Sequence, residues 1–225
     1  MSSKSETEMS PPLNVAFWSR WNAGQQDDES VYIDALRTHN DPLARAKALW
    51  DWKDLSRGVD VDAVVDAVST EELYELVGQP PSEAVAVLGE KLVGGGALAN
   101  PTVVTPAFLL HVTASGLNEY STRFPLFDVR CWVAYVYLAG RRTGDEPLPG
   151  SATQSAPRFG AFSEFFQETI PQDVPGRVYE HALFRFGAYI AALPSTTVAN
   201  VDEHLLALED AVCKSYESEG YAIIR

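Results

Sequence analysis

Cysteine, histidine and strand-like alternation are all scarce in this chain, and each scarcity removes a class of function. There are two cysteines in 225 residues, Cys131 and Cys213, far apart and both in helix-like segments. Buried thiols in a reducing cytoplasm fit this better than a disulfide scaffold, and no cysteine cluster exists for an iron–sulfur centre. The four histidines, His39, His111, His181 and His204, are scattered, and none stands three or four residues from another ligand, so no metal site is expected. No apolar run reaches the ~18 residues of a membrane span. The first residues, MSSKSETEMSPP, lack the basic start and apolar centre of a signal peptide, so residues 1–10 read as a flexible leader. Neither GxxxxGK[ST] nor GxGxxG after a strand occurs, which leaves nucleotide-binding loops without support. No GxSxG elbow is present either.

Positive charge is also in deficit. Seventeen Lys and Arg stand against 31 Asp and Glu, for a net charge of −14. The mean field of such a chain repels polyanions. Locally the balance inverts: Arg123, Arg130, Arg141 and Arg142 share the stretch 120–142 with one acid, Asp128.

What the chain has in quantity is apolar residues at helical spacing, 46% of the total. The pattern predicts helices over 13–21, 29–38, 42 to about 57 (with Gly58 as the stop), 59–68, 70–77, 82–93, 107–115, 129–138, 159–169, 174–192 and 201–218. Asp41-Pro42 is an N-cap followed by a first-turn proline, and Ser69 with Glu72 forms a capping box. The strand candidate is 221–224, and 144–157 is a Gly/Pro/Ser-rich loop. Short connections between helices predict one all-α body over 11–225.

The stretch RFPLFDVRCW, 123–132, carries the chemistry. Asp128 stands between an apolar turn and a helix. A carboxylate there meets unpaired N–H groups and the positive end of the helix dipole. One reading is a structural N-cap contributing about 1 kcal/mol. The other is a fixed anion, with Arg123 and Arg130 nearby, suited to stabilising a developing cation on a polyanionic substrate. Tryptophans cluster as FWSRW and LWDWKD. Trp18 and Trp21 share a helical face, which favours the core over base stacking. Trp50 and Trp52 cannot face the same way, so at least one is expected near a surface or cleft, beside Lys53. Trp132 is expected beneath the Asp128 site, and Phe184 and Phe186 in the core.

FPLFDVRCWVAYVYL resembles the catalytic segment of the helix-hairpin-helix superfamily of DNA glycosylases, in which an Asp opening a helix is the catalytic carboxylate. VVTPAFLLHV resembles the second helix of that family's hairpin. VYEHALFRFGAYI resembles a helix near the C-terminus of the 8-oxoguanine branch. The similarity spans roughly 80–192. It implies a compact multi-helix glycosylase-like fold, with a divergent helix-hairpin-helix element at about 82–116 and a catalytic helix at about 128–142. The hairpin's Gly-rich turn is replaced by ANPTVVTP, and no Lys lies in 105–111. The resemblance therefore implies a monofunctional enzyme without lyase activity or cofactor. Asp128 would be catalytic, Thr105, Arg123 and Arg130 would contact DNA, and Trp50, Trp52 and Lys53 would line a base pocket. The expected partner is double-stranded DNA with a damaged or modified base, bound by a cytoplasmic monomer, possible roles including defence against phage with modified DNA. The competing expectation is a non-enzymatic helical interaction module.

Overall fold

Asp41 shows how the local sequence sets this fold. Its side chain accepts from the Ala44 amide at 2.8 Å, and Pro42 occupies the first turn behind it. The same carboxylate accepts from the Thr70 hydroxyl at 2.5 Å, tying the start of one helix to the start of another. At Ser69 the expected capping box is complete: Ser69 Oγ accepts from the Glu72 amide, and Glu72 accepts from the Ser69 amide.

The computed structural model describes residues 13–21, 29–56, 58–116, 119–139 and 155–192, together with 205, 207, 208 and 210. The expected leader (1–10), most of the loop at 144–157, most of the helix at 201–218, the strand at 221–224, His204 and Cys213 lie outside them. Among the described residues the chain is all-α, with ten helices: α1 (Val15–Trp18), α2 (Glu29–Thr38), α3 (Pro42–Leu49), α4 (Val61–Ala67), α5 (Thr70–Val77), α6 (Pro81–Gly94), α7 (Val104–Ala114), α8 (Val129–Leu138), α9 (Ala156–Thr169) and α10 (Gly176–Ala192). The only extended pairing among these residues is an isolated bridge between Gly116 and Glu119. None of these helices is long and apolar enough to cross a membrane.

The chain divides into two compact units: 23–129 with 153–180, and 1–22 with 130–152 and 181–225. The first is organised around α7. Residues 105–113 of this helix are all buried, the mark of a helix apolar on every side and surrounded by others. Helices α3, α5 and α6 pack on it, and α9 packs on α6. The α6–α9 crossing is close because Gly160 faces Ser82, where a Cβ would come within 2.9 Å of the serine Cβ. Arg45 of α3 closes the far end of α7, donating to the Val112 and Ser115 carbonyls at 3.1 and 2.7 Å.

In the second unit, Trp18 is 1% exposed and packs edge-on against Phe186 at 5.2 Å, in the core as its spacing suggested. Trp21 is half-buried beside it. Gly187 abuts the Arg130 carbonyl so closely that any Cβ would overlap it.

The third helix departs from expectation. It ends at Leu49 instead of running on toward Gly58, because the chain turns through 50–54 and Asp54 adopts φ 60°. An Asp tolerates this left-handed conformation better than most residues, so no glycine marks the turn.

Candidate functional site

The segment leading to Asp128 is irregular, yet its backbone groups are held one by one. Ser163 of α9 donates to the Arg123 carbonyl at 2.6 Å. The Phe124 amide donates to Ser121 Oγ at 3.1 Å. The Phe124 carbonyl lies 2.7 Å from His111 Nδ1. The Leu126 amide donates to the Tyr120 hydroxyl at 3.0 Å. Phe124, Pro125, Leu126 and Phe127 are all buried. Phe127 sits between Phe159 and Phe162, at ring separations of 5.5 and 5.2 Å. Asp128 follows, half-buried and immediately before Val129, the first residue of α8.

Arg123 is committed to protein carbonyls. Its guanidinium donates to Val77 at 2.9 Å, Gly78 at 3.4 Å and Gln79 at 2.6 Å, satisfying the last turn of α5 and the residues after it. Arg130 is exposed, and its guanidinium lies 4.7 Å from the Phe184 ring centroid. Thr105 was expected at a phosphate-facing helix start. It is 3% exposed, within the first turn of the buried α7, so an anion cannot reach its hydroxyl as the chain is folded here.

The tryptophan pair splits. Trp50 is 3% exposed, packs edge-on against Phe108 and donates its indole N–H to the Val59 carbonyl at 3.0 Å. It belongs to the core, not to a base-binding surface. Trp52 is half-buried, 5.5 Å from the Tyr32 ring, and Lys53 beside it is half-buried too. Trp132, expected under Asp128, is buried in α8. Cys131 is buried in the same helix. Among the described residues, no three His, Cys, Asp or Glu side chains gather as a metal site.

Sequence reasoning missed the polar cluster of which Trp52 is part. The Arg177 guanidinium lies 4.8 Å from the Tyr32 ring centroid and 5.2 Å from that of Trp52. It donates to Glu29 at 3.1 Å through Nε and to Glu180 through Nη1. Burial pulls the Arg177 pKa down, and the carboxylates of Glu180 and Glu29 more than reverse this, so the net shift is upward. The guanidinium therefore stays charged. Tyr32 extends the cluster inward, its hydroxyl 2.7 Å from His111 Nε2. Burial raises the Tyr32 phenol to about 12, so it stays protonated.

His111 is fully buried. Burial drives its pKa down to about 3, so the imidazole is neutral. Its tautomer follows from the partners. A carbonyl only accepts, so Nδ1 carries the hydrogen and donates to Phe124. Nε2 is then the acceptor, and the Tyr32 hydroxyl donates to it. Ser115 Oγ lies 3.4 Å from the same nitrogen and accepts from the Ser121 amide at 3.1 Å. A local signal for part of this cluster did exist: Arg177 and Glu180 are three residues apart on one helix face. Nothing local ties them to Glu29, Tyr32 or His111.

The structure thus brings Asp128 to the end of a buried, pinned turn and gathers Trp52 with Arg177. It does not bring Thr105, Arg123 and Trp50 to one accessible surface. No family model matches the chain, and no curated protein or solved structure matches it significantly.

Proposed function

We propose that the chain is a monofunctional DNA glycosylase of the helix-hairpin-helix type, with Asp128 as its catalytic carboxylate. One observation carries this reading: a half-buried carboxylate at the mouth of α8, placed there by an apolar turn whose backbone is fixed from four sides. Preorganised negative charge of this kind stabilises an oxocarbenium sugar as the glycosidic bond breaks, and it orients or deprotonates the attacking water. Helices α6 and α7, consecutive and packed together, occupy the 82–116 region of the proposed hairpin. Residues 105–111 contain no lysine, so no Schiff base forms there and the product is an intact strand with an abasic site. The target base is extruded from double-stranded DNA before excision. Of the three side chains expected to contact DNA, Arg130 is the exposed one, and with Arg123 committed to α5 it takes the larger share of the phosphate contact.

The test is base release from duplexes carrying different modified bases, read as abasic sites. Wild-type protein gives product. Asp128→Asn gives none, while its circular dichroism and unfolding midpoint match wild type. A fully active Asp128→Asn removes the proposal.

A second reading, a non-enzymatic helical interaction module, draws on the burial of Thr105 and the engagement of Arg123 by α5. It expects no salt-sensitive DNA binding. Gel shifts at two salt concentrations separate the two readings, because phosphate contacts weaken steeply as salt rises.

A further inference from the structure

The path of the chain from Arg123 to Asp128 is irregular, and irregular backbone is ordinarily satisfied by water at the surface. Here the groups are buried and are satisfied by side chains from three separate parts of the chain. His111 reaches from α7 to the Phe124 carbonyl, Ser163 from α9 to the Arg123 carbonyl, and Tyr120 to the Leu126 amide. These positions lie far enough apart in sequence that the turn cannot adopt this path unless α7 and α9 are both in place.

Two details show that the two aromatic donors and acceptors are themselves fixed. The Phe124 carbonyl can only accept, which fixes His111 as the Nδ1–H tautomer, and the Tyr32 hydroxyl holds the other nitrogen of the ring. The Tyr120 ring lies 4.8 Å from the His111 ring and is stacked 5.9 Å from Phe166. Room for that ring exists because residue 176 is glycine: a Cβ there would stand 2.5 Å from Tyr120 Cδ1.

From this geometry we infer that His111 and Tyr120 are positioning residues that set the path of 123–127 and thereby the placement of the Asp128 carboxylate. Tyr120 acts through the Leu126 amide, two residues before the carboxylate. His111 acts through the Phe124 carbonyl, four residues before it. Neither touches substrate. The catalytic consequence rests on the glycosylase reading of Asp128; the structural consequence does not.

The experiment uses the full chain and Tyr120→Phe, which deletes one hydroxyl and keeps the ring. Tyr179→Phe is the control. It deletes a hydroxyl that pairs with Thr169 at 2.7 Å in the same unit and has no bond to the turn. Amide hydrogen exchange at Leu126 is read first. It accelerates at least about fivefold in Tyr120→Phe, as loss of one buried hydrogen bond requires, and is unchanged in Tyr179→Phe. Steady-state base release is read second. In Tyr120→Phe, kcat falls about tenfold or more with KM unchanged, because a displaced carboxylate harms the chemical step and not binding. The control keeps both constants. Unaltered Leu126 exchange in Tyr120→Phe overturns the inference, as does accelerated exchange with kcat intact in an active enzyme. If wild-type protein releases no base at all, the glycosylase reading fails, and the positioning role is decided by the exchange data alone.

Discussion

Lowering the pH should destabilise this protein through His111, and the size of the effect can be worked from its surroundings. The imidazole is fully buried, with both nitrogens already committed to Phe124 and Tyr32. Its folded pKa is held near about 3 against 6.5 for the unfolded residue. The unfolded chain therefore binds a proton that the native chain refuses, and between these two values stability falls as pH falls. The contribution is fully present above about pH 6.5 and drains away toward pH 3. With those two constants, going from pH 7 to pH 4.5 costs on the order of 2–3 kcal/mol, a large part of a typical domain's roughly 5–15 kcal/mol. Carboxylates also begin to titrate in this window, so the measurement is a difference. Urea unfolding is followed at half-unit pH steps for wild type and for His111→Asn, which cannot titrate. The gap between the two curves narrows by about 2 kcal/mol or more over the window, whatever the absolute cost of the substitution. Should the variant fold too poorly, the wild-type imidazole nitrogen shifts serve instead: the Nδ1–H tautomer persists to pH 4.5. A constant gap between the curves, or an imidazole titrating near 6.5, refutes the reasoning.

Two further perturbations probe features far from each other in sequence. Arg177→Met leaves the carboxylates of Glu29 and Glu180 without the guanidinium they share, and it should cost about 3–5 kcal/mol in urea unfolding; a loss under about 1 kcal/mol would show the ion pairs to be incidental. Gly187→Ala drives a methyl group into the Arg130 carbonyl, and the thermal midpoint should drop by several degrees as backbone is forced apart; an unchanged midpoint contradicts the close approach.

Elements with their own chemical punctuation were readable from the sequence. The ranges 29–38, 70–77 and 129–138 match α2, α5 and α8 residue for residue, and the Asp41 and Ser69 caps are formed. The all-α class follows from the same periodicity. The end of α3 was misread because its turn is made by Asp54 at positive φ, where no glycine announces it. The start of α7 was read three residues late: a helix buried on all faces has no polar stripe to define its phase. At the candidate site, the position of Asp128 before α8 was legible because the apolar turn and the helical pattern that flank it are contiguous in sequence. The roles of Arg123, His111 and Arg177 were not. The partners that define these roles, the Phe124 carbonyl for His111, the Val77 carbonyl for Arg123 and Glu29 for Arg177, lie from 13 to 148 residues away, and only the folded chain supplies them.

Because the Arg123 side chain holds the carbonyls of Val77, Gly78 and Gln79, the tip of α5 and the turn before Asp128 are joined through one guanidinium. A change in the Gly78–Gln79 corner, a surface bend remote from Asp128 in sequence, will therefore be transmitted to the Asp128 segment. Residues bordering that bend can tune the carboxylate without ever approaching it.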